Sequence, residues 1–431
     1  MSTRDLAEFS HVGDEDRVGA AVARSGAMRV VVYYNGTFIH LRNGAHARMA
    51  SLLQYLVKAG YSITLFSFEN HSTEPWTEAA QTAFKTAFPT IRLVLDTQTP
   101  LLRCLTSLKN ALTSFMPTRA HEIIAWRRRG ASPNYEALVT EPGDAVWIVN
   151  YADGLTQLNG VPSVPIVVET HDIKFIHVAK KHCTRPFNLR SLLRMRSELG
   201  VLNCTAAIIA ISPVEAGFFR AIVADPRVFY IPQYPSVVPL RRADRPKAGY
   251  RYDLVFVGSD MFQNARGLLA FFEANKTWLG SLRIAVVGRV GENTSVRAFA
   301  KMRPQIELLG FVDNLPAIYA ASKAAISPVD GTGLKIKAIE ALGQGRPVFA
   351  SRHSMEGLPP GYDHCVFPIE RSFIERVLLN NSELEAAQAS ALAYWESLST
   401  TGDMTGFQDF LQRGTQAPRT SLWEPASTGP I

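Results

Sequence analysis

Lys337 and Glu340 stand three residues apart in the stretch DGTGLKIKAIEALGQGRPVFAS, residues 330–351, and Gly333 stands four residues before the lysine. Spacings of four and three put these positions along one flank of a helix. A cation there can neutralise a diphosphate, a carboxylate can accept two hydrogen bonds from ribose hydroxyls, and a glycine admits a ligand close to the backbone. An ordinary surface ion pair between Lys337 and Glu340 is the plainer alternative. Two more glycines in the same half follow strand-like runs and carry cations behind them. Gly258 and Ser259 close LVFVGS with Arg266 beyond, and Gly288 closes AVVG with Arg289 next to it. Helix N-termini after such turns offer N–H groups to phosphate, although glycine is also simply common in turns of this kind.

His171 and Asp172 end the run PIVVETHD. They read either as reactive groups at a strand end or as a structural pair or helix cap. Glu169, on the same strand, reads as outward-facing or structural. Glu215 follows Ser212 at the spacing of a capping box and needs no ligand. Asp96 and Asp144 are lone acids, and no DxD-type metal motif stands out. Cys104, Cys183, Cys204 and Cys365 have no paired spacing, which argues against a disulfide framework or a zinc site and for buried thiols.

The elements that must position these groups alternate. MRVVVYY, YSITLFSF, AVWIVNY, PIVVETHD, AAIIAIS and VFYIPQYP form a first series of apolar runs. YDLVFVGSD, LRIAVVGRV, IELLGFV, AAISPVD and RPVFAS form a second. Continuous apolar strands separated by helical stretches predict an α/β fold of doubly wound parallel sheets. A chain of 431 residues exceeds one ordinary core. The expected organisation is a loose lead-in over 1–27, a Rossmann-like acceptor domain over 28–238 and a Rossmann-like donor domain over 239–400. A helix and tail over 401–431 pack back on the first domain, and the cleft lies at the facing carboxyl ends of the strands.

The chain is 47% hydrophobic and 19% charged with a formal charge of +7, which favours anionic partners. No apolar run reaches the length of a spanning helix, and the opening MSTRDLAEFSHVGDEDRVGA lacks a signal-peptide centre, so a cytoplasmic protein is expected. Residues 119–129 and 180–196 are basic with interleaved apolar residues, and predict either a solvated face or peripheral contact with the anionic inner face of a membrane. Neither sits in a nucleic-acid-binding module.

Residues 250–380 resemble the donor-binding half of the retaining family 4, or group 1, glycosyltransferases, which have the two-domain GT-B fold. The resemblance runs through VFVGS, the VVGR turn, LLGFVDNLPAIYAASKAAISP, GTGLKIKAIEALGQGRPVFAS and SMEGLPPG. NGAHARMASLLQYLVKAGYSITLFS, VVETHD and AAIIAISPVEAGFF are similar to first-half segments of the same family, whereas residues 70–141 match nothing in it.

The resemblance implies that Glu340 holds the donor ribose, that Lys337 and the Gly333–Leu334 backbone face the diphosphate or sugar, and that Val312 lies against the base. It places Gly258, Ser259 and Arg289 in the donor-binding turns. Arg266 stands near, but offset from, a phosphate-clamping cation. Gly44 would let its loop close on the diphosphate, and His171 would contact the transferred sugar. The family often has a first glutamate eight positions before the second; here that position is Thr332, with Asp330 two residues earlier. The implied activity is metal-independent transfer of a sugar from a nucleotide diphosphate to a glycan or lipid-linked acceptor in cell-surface polysaccharide assembly, with no cofactor. A non-catalytic sugar-nucleotide-binding partner or sensor with the same fold is the alternative. A nicotinamide-dependent oxidoreductase would need a GxGxxG turn after a first strand, and neither series supplies one.

Overall fold

The computed structural model describes residues 28–41, 44–176, 188–224, 226–234, 249–329, 334–398 and 400–413. Seven strands form the first sheet: β1 (Arg29–Tyr33), β2 (Ser62–Phe68), β3 (Arg92–Asp96), β4 (Ala145–Asn150), β5 (Ile166–Glu169), β6 (Ala207–Ala210) and β7 (Arg227–Tyr230). Six form the second: β8 (Tyr252–Val257), β9 (Ile284–Val287), β10 (Ile306–Gly310), β11 (Ser322–Ser327), β12 (Val348–Ala350) and β13 (Val366–Pro368). The orders are β3-β2-β1-β4-β5-β6-β7 and β10-β9-β8-β11-β12-β13, and the paired strands are parallel. In both sheets the strand order reverses beside the first strand, β1 or β8, which opens a crevice at the carboxyl ends.

The continuous apolar runs are the buried strands. β1 alternates its side chains between two cores, Val30 and Val32 into one and Val31 and Tyr33 into the other. Helices cover both faces, as a parallel sheet requires. β3 and β13 extend the two series by one edge strand each beyond the runs read from the sequence.

Gly288 takes a φ of +94°, and a Cβ on it would stand 2.3 Å from the carbonyl oxygen of Gly258. The turns after β8 and β9 therefore touch through bare backbone, so the freedom of Gly288 serves that contact.

The helix Asn381–Leu398 packs on the second domain through Leu384, Ala387 and Ala391. The helix Met404–Arg413 then returns to the first, burying Phe407, Phe410 and Leu411 in the core shared by β1 and β7 residues. Asp403 secures the return: its N–H donates to Tyr230 O at 2.8 Å, and its carboxylate accepts from Tyr230 N–H at 2.9 Å and pairs with Arg220 at 2.6 Å. The lead-in 1–27, the expected boundary near 238 and the tail beyond Arg413 lie outside the described residues.

The thiols correct one expectation. Cys365 is buried, but Cys204 is half-buried and Cys104 is exposed on its helix; Cys183 lies outside the described residues.

Candidate active site between the two domains

The carboxyl ends of β1, β4 and β5 deliver Tyr34, Tyr151 and His171 to a cavity of 430 Å³ that also touches the second domain. That volume is within the roughly 300–1,000 Å³ usual for small-molecule sites. His171 is held from behind. Its Nε2 lies 2.8 Å from Asn150 Oδ1, and Asn150 Nδ2 donates to Glu169 Oε2 at 3.0 Å. Glu169 Oε1 accepts from Tyr234 Oη at 2.7 Å, and Arg48 Nε stands 2.9 Å away, close enough for an ion pair though not aligned as a hydrogen bond.

A carboxylate only accepts, so Asn150 must turn its amide nitrogen to Glu169 and its oxygen to His171. The ring nitrogen facing that oxygen must then carry the proton. Burial pushes the His171 pKa down to about 4, against an opposing pull from Glu169. The imidazole is neutral at neutral pH, with Nε2–H committed to Asn150 and Nδ1 left as the acceptor.

Tyr151 packs against His171 with ring centroids 4.6 Å apart and planes tilted by 33°. Its backbone sits at φ +62° and ψ 149°, a region costing a non-glycine residue about 1–3 kcal/mol, so the surrounding structure over-determines it. Glu198 fixes the loop beyond His171 by accepting the Lys174 N–H at 3.0 Å and the Phe175 N–H at 2.9 Å. Burial outweighs those bonds and pushes its pKa up to about 8.

Glu215 is fully buried, as is Ser212. Ser212 Oγ accepts the Glu215 N–H at 3.2 Å, the expected cap, and Glu215 Oε2 accepts from Ile211 N–H at 3.2 Å, one residue earlier than a capping box requires. Burial first, and Asp172 second, push the Glu215 pKa up to about 7. Glu169 is structural and faces inward, at 0% exposure.

The second domain contributes the turn Gly258–Ser259, residues 334–338 and Asn264, whose Nδ2 donates to Ser259 O at 3.1 Å. The helix Ile336–Gly343 begins without a side-chain cap, and neither it nor the helix Gly44–Lys58 has an acid in its first turn. The two N-termini abut: a Cβ on Gly44 would stand 2.9 Å from Ile336 Cβ and Cγ1. Two positive dipole ends and two lysines, Lys335 and Lys337, thus border one cavity.

Gly44, His171, Gly258, Ser259, Leu334 and Lys337 all line it. Four expected residues do not. Arg266 lies two residues beyond Asn264, roughly 200° round the helix, and its guanidinium rests over Phe262 at 5.3 Å. Arg289 is 57% exposed and pairs with Asp260 at 2.8 Å and Glu292 at 3.6 Å. Val312 packs on the core that holds Val255 and Val287. Glu340 forms an ion pair with Lys337 at 2.6 Å, the plainer alternative weighed for the two, while Lys337 still borders the cavity. Gly333, Thr332 and Asp330 lie outside the described residues. Tyr151, Asn264 and Lys335 went unread in the sequence; only Lys335, as the first lysine of LKIK, carried a visible signal. Among the described residues no three His, Cys, Asp or Glu side chains come together as a metal site would need.

Residues 251–379 match the family described as glycosyl transferases group 1. The second domain is a group 1 glycosyltransferase domain. No curated protein matches the chain in sequence. The whole GT-B fold recurs in solved structures at low identity. Sucrose-phosphate synthase from Thermosynechococcus elongatus is 14% identical over 89% of this chain and 98% of that one, with a TM-score of 0.59. HepE of Anabaena, in complex with UDP, is 15% identical over 91% and 100%, with a TM-score of 0.58. A TarM variant of S. aureus, in complex with fondaparinux, alpha-GlcNAc-glycerol and UDP, is 9% identical over 89% and 99%, with a TM-score of 0.60. The lysine pair and the Gly258–Ser259 turn lie within the glycosyltransferase domain, and His171 faces them from the other half of the fold.

Proposed function

We propose that this glycosyltransferase moves a sugar from a nucleotide-diphosphate donor to a glycan or lipid-linked acceptor, with retention of anomeric configuration, in assembly of a cell-surface polysaccharide on the cytoplasmic side of the membrane. The observation that carries the reading is the convergence of Lys335, Lys337 and the N-termini of two helices, neither with an acid in its first turn, on one cavity opposite His171. As the anomeric carbon–oxygen bond to the diphosphate breaks, negative charge grows on the leaving group, while the acceptor oxygen bonds to that carbon and passes its proton to the departing diphosphate. Cations and amides already in place stabilise that charge without reorganising. Glu340 is near enough to Lys337 to trade its ion pair for ribose hydroxyls when the lysine turns to phosphate. Neutral His171, its Nδ1 free to accept, contacts a hydroxyl of the transferred sugar. Donor binding here needs no metal.

The test is turnover. The purified chain is incubated with a panel of sugar nucleotides, uridine nucleotides first because HepE and TarM are complexed with UDP. Release of nucleoside diphosphate, abolished in His171→Ala, is the expected result. Tight nucleotide binding with no release from any donor, with His171→Ala behaving like the parent, would replace the enzyme by a sensor.

A further inference from the structure

Buried tyrosines in this protein spend their hydroxyls on the protein itself. Tyr33 donates to Gln157 Oε1, Tyr135 to Gly160 O, Tyr234 to Glu169 Oε1 and Tyr394 to Pro359 O, each at 2.7 Å. Tyr34 and Tyr151 do not. Among the described residues neither hydroxyl has a hydrogen-bonding partner, yet neither is sealed in the interior as those of Tyr55 and Tyr230 are. Both side chains line the interdomain cavity, so a bound molecule there can supply the missing partner.

The two arrive from adjacent strands. β1 and β4 pair Tyr33 with Val149, which sets Tyr34 level with Asn150 and Tyr151 one residue beyond. Tyr151 packs 4.6 Å from His171, on the first-domain wall that faces Lys335 and Lys337. Its backbone is held in a costly conformation, φ +62°, at this one spot. Burial first, and Asp172, Tyr34, Glu169 and Glu215 after it, raise the Tyr151 pKa well above the ordinary tyrosine value. Burial, Glu74 and Glu169 raise that of Tyr34. Both hydroxyls therefore keep their protons and present donors.

We propose that Tyr34 and Tyr151 determine which sugar is transferred, by donating hydrogen bonds to its hydroxyl oxygens from the first-domain wall, and that the sugar they admit is uncharged. This rests on the donor reading above, in which His171 contacts that sugar while the lysines and helix N-termini of the far side take the diphosphate. A sugar carrying a carboxylate would meet Asp172, which lines the same wall, like charge against like. Among the described residues the first-domain cations beside the wall are engaged: Arg48 stands 2.9 Å from Glu169, and Lys174 pairs with Asp153. The basic stretch 180–187 lies outside the described residues.

Titration calorimetry of the full chain tests it with UDP, UDP-glucose, UDP-galactose, UDP-N-acetylglucosamine and UDP-glucuronic acid. UDP-glucuronic acid should bind about tenfold or more weakly than the best of the uncharged three. Tyr34→Phe and Tyr151→Phe each remove one oxygen and leave the ring in place. Each should weaken that best ligand by about three- to tenfold and leave UDP, which brings no sugar, at the parent's affinity. A merely structural role would move UDP and sugar nucleotide together, and that result would overturn the proposal. So would sugar-nucleotide affinity unmoved by either variant, or UDP-glucuronic acid binding as well as the uncharged donors. Binding needs no turnover, so the two readings fail separately. A sugar-selective loss in the Phe variants without diphosphate release from any donor would sink transfer and keep the tyrosines. Release whose kcat/KM the Phe variants leave unchanged would keep transfer and sink the tyrosines.

Discussion

His171 Nε2 and Asn150 Oδ1 are 2.8 Å apart, and the orientation of that bond is set by a buried carboxylate one step further back, Glu169. Removing the link with Asn150→Ala should lower kcat/KM by up to about a hundredfold through misplacement of the ring. Asn150→Asp puts a carboxylate beside the imidazole and should raise its pKa from about 4 toward the ordinary histidine range, moving the acid limb of the rate profile upward. NMR titration of His171 reads this directly. An unshifted ring would show that Asn150 does not hold it.

Gly44 and Ile336 bring the two domains into contact. In Gly44→Ala the new methyl would stand 2.9 Å from Ile336 Cβ and Cγ1, and the Cβ is fixed to the backbone and cannot swing away. Nucleotide affinity should drop by about 1–3 kcal/mol as the domains are wedged apart. Ile336→Gly in the same chain removes both atoms and should restore most of it, a coupling that a double-mutant cycle by calorimetry measures. Undiminished affinity in Gly44→Ala would mean that closure does not run through this contact.

Lys337 and Glu340 are assigned different halves of the nucleotide. Each alanine variant should weaken UDP binding by about 1–3 kcal/mol. The Lys337→Ala loss should vanish when uridine replaces UDP, because the lysine acts on phosphate. The Glu340→Ala loss should persist, because ribose is common to both ligands. Titration calorimetry with the two ligands separates them, and an identical pattern for both variants would remove the assignment.

Glu215 gives the fold a pH dependence. Its folded pKa of about 7 is above the ordinary glutamate value, so the folded state binds the extra proton between about 4.5 and 7. The stabilisation is complete below the unfolded pKa and is lost as pH rises through 7. Glu215→Gln can still accept the Ile211 N–H and carries no charge to bury. It should be more stable than the parent above pH 7 by about 1–3 kcal/mol and equal to it near pH 4. Thermal melts across that range check the sign, and a variant less stable at high pH would contradict it.

Much of this molecule is readable locally. An uninterrupted apolar run such as VVVY or AVWIVN can be satisfied only where both sheet faces are covered, so β1 and β4 are legible as parallel strands without a structure. β3 and β13 were not legible: RLVLD buries only part of an edge strand, and VFP is three residues long. That Gly44, Gly258, His171 and Lys337 line the cavity follows from turns and strand ends that lie in neighbouring residues and could be read along the chain. Arg266 and Arg289 do not line the cavity, for a tertiary reason. Helix phase carries one to Phe262, and Asp260 on another turn captures the other.

By itself the sequence determined two doubly wound halves, the lysine-bearing turn and the histidine at a strand end, all consequences of spacing along the chain. Only the tertiary structure decided which cations reach the cavity and that Asn150 holds His171. Parallel register aligns Asn150 with Glu169 across two strands, and the burial that makes the histidine neutral comes from residues far away in the chain.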